Sequence, residues 1–281
     1  MASPSVPPPT SQWQRLLQNT GTWCGSFAQI SPTGEILSDV CTEVELTPSE
    51  DGKAMHQEVR RYPTSGSPQI QVLDYRSLNR ATLFFEGGAF SQGSMQWGPF
   101  SEFGAELGLI VGDRRLRLMQ LFAKNELKPM TLIREGLQGT DATERPKLTI
   151  EDLIGTWQGD AVTQYADLRP EARSSTQLTV EQISSDQLRQ TLNLGANIPT
   201  ICSIGNVEGN RILFEGGAQP VQVLLLPDGA SSTCPVQITP RQPIFLEVGW
   251  LLDSQTRQRL IRSYDAAGAW ESLTLVKEQK L

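Results

Sequence analysis

The chain has 281 residues, about twice the ~100 to 150 of an ordinary domain, so it is long enough to hold two separate cores. Its 24 Lys and Arg against 31 Asp and Glu give a formal charge of −7, which speaks against a nucleic-acid footprint built on a basic surface. Four cysteines without CxxC spacing and a single histidine (His56) suggest neither a metal nor a redox site. No apolar run approaches the ~18 to 20 residues of a membrane-spanning helix. The expectation is a soluble cytoplasmic protein with free thiols, no metal and no cofactor.

In chain order, residues 1–10 (MASPSVPPPT) hold four prolines and no apolar run, which reads as a disordered tail. Ser11 to Gln18 carries a short helical pattern that leads into Gly21-Thr22-Trp23. Gln69 to Tyr75 and Arg115 to Phe122 are short, rich in Val, Ile and Leu, and bounded by turn residues, as strands are. Residues 139–148 are polar, contain Pro146 and read as a linker. Thr149 to Ile154 is a second short helix, with Thr149 as N-cap and Asp152 three positions on. Gly155-Thr156-Trp157, Gln177 to Ile183, Val221 to Leu226 and Ser272 to Val276 continue as strands.

The order of elements repeats. Gly21-Thr22-Trp23-Cys24-Gly25 returns as Gly155-Thr156-Trp157-Gln158-Gly159, and Phe85-Glu86-Gly87-Gly88-Ala89 as Phe214-Glu215-Gly216-Gly217-Ala218. The offset drifts: Trp157 lies 134 residues after Trp23, Phe214 lies 129 after Phe85, Gly249 lies 141 after Gly108, and Arg114 to Gly136 lies opposite Arg257 to Gln279 at 143. Drift between blocks is the mark of loop insertions among retained strands. The sequence therefore predicts two homologous all-β domains, 11–138 and 149–281, each an antiparallel barrel or sandwich entered through a short helix.

A short helix running into a strand that carries Gly-x-Trp resembles the lipocalin and calycin group of antiparallel barrels. With both units and the doubled Phe-Glu-Gly-Gly, the whole chain after the tail resembles a cyanobacterial family of two-domain, lipocalin-like proteins of uncharacterised function. The resemblance implies that Trp23 and Trp157 close the barrel floors and that an arginine from a late strand packs across each. Arg262 is the candidate in the second half; the 143 offset places Met119 opposite it, with Arg117 two residues away. It also implies an internal cavity for a small hydrophobic or amphipathic ligand such as a lipid, a carotenoid-like molecule or a tetrapyrrole. Kinship with bilin-attaching proteins raises a lyase or isomerase acting on a pigment or lipid as an alternative.

The halves differ between Phe84 and Phe103, where the first repeat concentrates aromatic residues among Gly, Ser and Gln. Phe85, Glu86, Trp97, Phe100, Phe103 and Arg117 are accordingly the candidate pocket residues, with the first barrel binding and the second supporting it. The same segment would be a protein interface if the barrels are filled, which makes a ligand-free interaction scaffold the third reading. Glu86 and Glu215 sit beside paired glycines at equivalent places, where a turn is the plain explanation. No Gly-x-Ser-x-Gly, phosphate loop, dinucleotide fingerprint or His-Glu-x-x-His is present, so no catalytic residue is assigned.

Overall fold

Each half begins with one capped helical turn. In α1 (Gln12–Leu16) the Ser11 side chain accepts from Gln14 N while the Gln14 side chain returns to the Ser11 backbone; in α2 (Ile150–Leu153) Thr149 and Asp152 do the same. These reciprocal caps satisfy helix-end donors that so short a helix cannot pair internally. The turn is followed by a glycine with positive φ, +120° at Gly21 and +127° at Gly155, a backbone state that side chains disfavour. Two residues later the tryptophan points inward and its indole N–H donates back to the helix, Trp23 to Asn19 O at 2.9 Å and Trp157 to Leu153 O at 3.0 Å. The Gly-x-Trp repeat is thus a corner that fixes helix to strand.

The computed structural model describes residues 10–195 and 199–281; of the tail expected over 1–10, all but Thr10 lies outside the described residues. The first sheet contains β1 (Gly21–Ile30), β2 (Ile36–Pro48), β3 (Met55–Tyr62), β4 (Gln69–Tyr75), β5 (Thr82–Phe84), β6 (Phe90–Gly93), β7 (Phe103–Val111), β8 (Arg114–Ala123), the two-residue β9 (Glu126–Leu127) and β10 (Met130–Leu137). The second contains β11 (Gly155–Tyr165), β12 (Ala172–Ser184), β13 (Gln187–Asn193), β14 (Ile201–Glu208), β15 (Arg211–Phe214), β16 (Val221–Leu225), β17 (Ala230–Pro235), β18 (Ile244–Leu251), β19 (Thr256–Tyr264) and β20 (Trp270–Lys280).

The protein is all-β, but only the second sheet is a closed barrel, running β11 to β20 with β20 paired back to β11. The first curls in the order β4-β3-β2-β1-β10-β8-β7-β6-β5 and stays open between β4 and β5. The connection explains the difference. In the second half Gly209 and Asn210 join β14 to β15 as a two-residue turn, with Gly209 at φ +63°, and the hairpin closes. In the first half residues 76–81 separate β4 from β5, too long a link to impose that pairing.

The largest apolar core lies between the two units. Leu107, Leu109, Leu116, Leu118, Phe103 and Phe122 from the first sheet share one buried cluster with Leu246, Val248, Leu260, Tyr264, Leu273 and Leu275 from the second. The strands packed there are β7 and β8 against β18 and β19, with β7 meeting both β18 and β19 and β8 meeting β18. Smaller clusters fill each interior near its tryptophan. Polar bonds cross the seam as well: Gln120 donates to Ser232 Oγ at 2.7 Å, and Trp97 N donates to Gly268 O and Trp270 N to Met95 O, both at 2.8 Å.

Candidate functional site

The inward faces of both units carry the same charged floor. In the first, Glu135 on β10 accepts from Arg115 Nε at 2.7 Å and from Arg117 Nε and Nη2 at 3.1 and 2.9 Å, and Arg117 Nη1 reaches Glu106 at 2.7 Å. In the second, Glu278 on β20 accepts from Arg257 Nε at 2.5 Å and from Arg259 Nε and Nη2 at 3.1 and 3.0 Å, and Arg259 Nη1 reaches Glu247 at 3.3 Å. The Arg115 guanidinium lies 4.5 Å from the Trp23 ring centre and that of Arg257 lies 4.2 Å from Trp157. Cation and ring attract most strongly when both are dry. Burial alone would raise the Glu135 and Glu278 carboxyls; the paired guanidiniums outweigh it and hold both below the ordinary carboxylate range.

Each floor leaves the same buried atom over. Arg115 Nη2 and Arg257 Nη2 have no hydrogen-bond partner among the described residues. The carboxylates, by contrast, are consumed by the arginines, so neither floor presents an unpaired acid or base for proton transfer.

This arrangement corrects the assignment of Arg262. The arginine across Trp157 is Arg257, and its counterpart across Trp23 is Arg115. Arg262 sits on the opposite face of β19, fully buried in the seam, where its guanidinium stacks 3.7 Å from the Trp270 ring centre. It donates to Ala81 O and Ser94 O of the first unit, each at 3.1 Å, and to its neighbour Tyr264 Oη at 2.7 Å.

The aromatic segment is corrected in the same way. Phe85 and Phe103 are buried in the seam core, Phe103 with its ring centre 4.7 Å from that of Tyr264, and Trp97 packs against that core. Phe100 is 100% exposed at a loop tip. Glu86 is exposed on the Phe85–Ala89 turn, where it accepts from Thr10 Oγ1 at 3.1 Å. Of the six candidate pocket residues only Arg117 lies on the inward face of its sheet, so the structure assembles no pocket from that set.

Partly exposed inward residues lie elsewhere, on the second barrel. On β19 the outward residues Leu260, Arg262 and Tyr264 are buried, whereas the inward Arg259, Ile261 and Ser263 are only half-buried. On β20 Leu273 and Leu275 are buried outward while Ser272 and Thr274 stay half-buried inward, and Phe245 on β18 behaves likewise. Ile261 pairs with Thr274, and Ser263 with Ser272 and Phe245, so these side chains share the inner wall. These inward groups of the second barrel therefore stay partly open to solvent at the end of the barrel away from its arginine–glutamate floor. Period-two patterning was visible here, but the more buried face was the outer one.

A protein of unknown function from the DUF3598 family of the cyanobacterium Nostoc punctiforme has a crystal structure 45% identical to this chain, with a TM-score of 0.91 over 97% of this chain and 100% of that one. The chain belongs to the DUF3598 family. Residues 9–140 match the model of the DUF3598 N-terminal domain of unknown function. Residues 144–281 match the model described as the C-terminal domain of biogenesis factor required for ATP synthase 1. The S-type phycobiliprotein lyase of Guillardia theta is 10% identical, with a TM-score of 0.38 over 47% of this chain and 89% of that one, a likeness too slight to argue from. No curated protein matches the chain. Among the described residues of this DUF3598 protein no helix is long and apolar enough to cross a membrane, and no group of three or more His, Cys, Asp and Glu is placed to hold a metal ion.

Proposed function

We propose that this DUF3598 chain is a cytoplasmic binding protein of lipocalin-like construction that holds a small amphipathic molecule in the upper lumen of its second barrel. The observation that carries the reading is the reversed burial at the end of β18 to β20 away from the floor, where outward Leu246, Arg262, Tyr264 and Leu273 are buried and inward Phe245, Ile261, Ser263, Ser272 and Thr274 are only half-buried. Ile261 and Phe245 supply apolar wall, Thr163, Ser263, Ser272 and Thr274 supply hydroxyls, and the arginine–glutamate floor below limits the depth. A lipid, carotenoid-like molecule or tetrapyrrole has the matching amphipathic chemistry.

Native mass spectrometry of the full chain purified from a pigmented host tests this. The wild type should carry an added mass that is lost on denaturation, and Ile261→Trp, which fills the lumen from its wall, should not. An apo mass in the wild type, or equal loading of the variant, refutes it. A second reading, a factor that binds protein subunits during assembly of a complex, is favoured by the match of residues 144–281 to the biogenesis-factor domain. Phe100 is the one aromatic of the Phe84–Phe103 segment left fully available to such a partner.

A further inference from the structure

The two edges of the open first sheet are treated differently. Strand β5 is plugged: Phe84 N donates to Gln12 Oε1 at 2.6 Å, and Phe84 O accepts from Gln12, Arg15 and, across the seam, Gln164 at 3.2, 3.1 and 3.0 Å. Strand β4 has no such cover. Among the described residues its backbone bonds only to β3, and six of its seven residues are exposed. A bare edge with a row of free N–H and C=O groups is a template for another strand, and chains that have no use for one block it with lysine, proline or a bulge. Here it carries Ile70 and Val72, 60% and 48% exposed on the outer face, and Leu73, 43% exposed on the inner face.

The surroundings state what would fit. On the outer face Val72 pairs with Glu58 and Glu58 with Glu45; Ile70 pairs with Arg60 and Arg60 with Glu43; Asp74 pairs with His56. One guanidinium, Arg60, is shared among Glu43, Glu45 and Glu58, leaving the patch acidic. A lysine or arginine on an added strand can lay its aliphatic stem over Ile70 and Val72 and set its head against Glu58 and Asp74. Alternate residues of that strand face inward and meet Leu73, so they must be apolar.

We propose that β4 is a docking edge for an extended segment of a partner protein in which apolar residues alternate with lysine or arginine. The segment adds as a further strand of the first sheet: main-chain bonds supply affinity and the acidic outer face selects basic side chains. This deepens the protein-binding reading by giving it a surface and is independent of what the lumen holds.

The test uses the full chain and a short labelled peptide of alternating Val and Lys. Fluorescence anisotropy should show binding that weakens with salt, falls by about tenfold or more in the Ile70→Lys/Val72→Lys variant and for a Val/Glu peptide, and is unchanged in Ile261→Trp. Hydrogen exchange on the wild type, which needs no variant to fold, should show new protection within Gln69–Tyr75. Equal binding to the edge variant, equal binding of the Val/Glu peptide, or no binding overturns the proposal. Protection confined to the Phe100 loop also overturns it, yet leaves a protein-binding role intact. A concentration-dependent dimer that the edge variant abolishes would overturn it in favour of a second copy of this chain.

Discussion

Replacing Glu278 by Gln asks whether the charged floor holds the barrel together or merely sits in it. Glu278 is 3% exposed and accepts three hydrogen bonds from two guanidiniums. The amide keeps one acceptor and turns an N–H₂ toward arginine N–H groups, leaving Arg257 and Arg259 with only Glu247 as counter-charge. Stranding buried charge in this way costs about 3 to 5 kcal/mol. With a urea m-value of about 3 kcal/mol/M or a little more for a chain of this size, the midpoint should fall by roughly 1 to 1.5 M. Because the seam core is common to both units, the transition should remain single and shift as a whole. The control is Arg257→Met/Arg259→Met/Glu247→Met/Glu278→Met, which removes every charge of the floor at once and should return most of the lost stability. A midpoint within ~0.3 M of wild type for Glu278→Gln, about the extrapolation error, would refute the reasoning.

Glu135→Gln should lower the same single transition by a similar amount, since the first floor repeats the geometry. Both carboxyls lie below their ordinary value in the folded state, so their contribution is complete above ~4.3 and is lost as pH falls through the lower native value; thermal melts from pH 6 to 2 should show the loss at the acid end, and a flat profile would contradict it. Gly21→Ala should cost about 1 to 3 kcal/mol, because φ is +120° and an added Cβ would stand 2.8 Å from Leu137 Cδ1; chemical denaturation measures it. Cys41 and Cys202 are exposed and should react with a thiol reagent at once, while Cys234, buried with its thiol pushed up to about 12 by burial, should react only on unfolding. Phe100→Ser, fully exposed, should leave stability within about 0.5 kcal/mol.

Much of the architecture was legible in the residues. The doubled Gly-x-Trp marked two equivalent corners, and Thr149 with Asp152 marked the second cap. The misplaced arginine shows where reading fails. Met130–Leu137 and Trp270–Lys280 do align at 143, Glu135 with Glu278, but the preceding strand aligns at 142, Arg115 with Arg257 and Arg117 with Arg259. One residue of loop separates the two registers, and in a strand one residue turns every side chain to the other face. Carrying 143 through both strands therefore set Met119 opposite Arg262, where 142 sets Gln120, and hid the Arg-x-Arg spacing shared by both halves; Arg262 itself lies on the seam face of β19. The aromatic segment failed for a related reason. Its buried side is set by which unit faces it, a long-range fact that alternation within one strand does not contain. The unpaired β4–β5 edge has the same character, depending on a partner strand that never arrives.

The common core also bears on how the chain is made. During synthesis the first sheet emerges with β7 and β8 apolar on the face that will meet β18 and β19, and those strands lie more than a hundred residues later in the chain. Until they are released that face has nothing to cover it, and an exposed apolar sheet in a growing chain is open to wrong contacts with its neighbours. The interval between ribosomal exit of Val111 and of Tyr264 is therefore a period of vulnerability, and synonymous or temperature-induced slowing within it should raise the insoluble fraction without altering the finished protein.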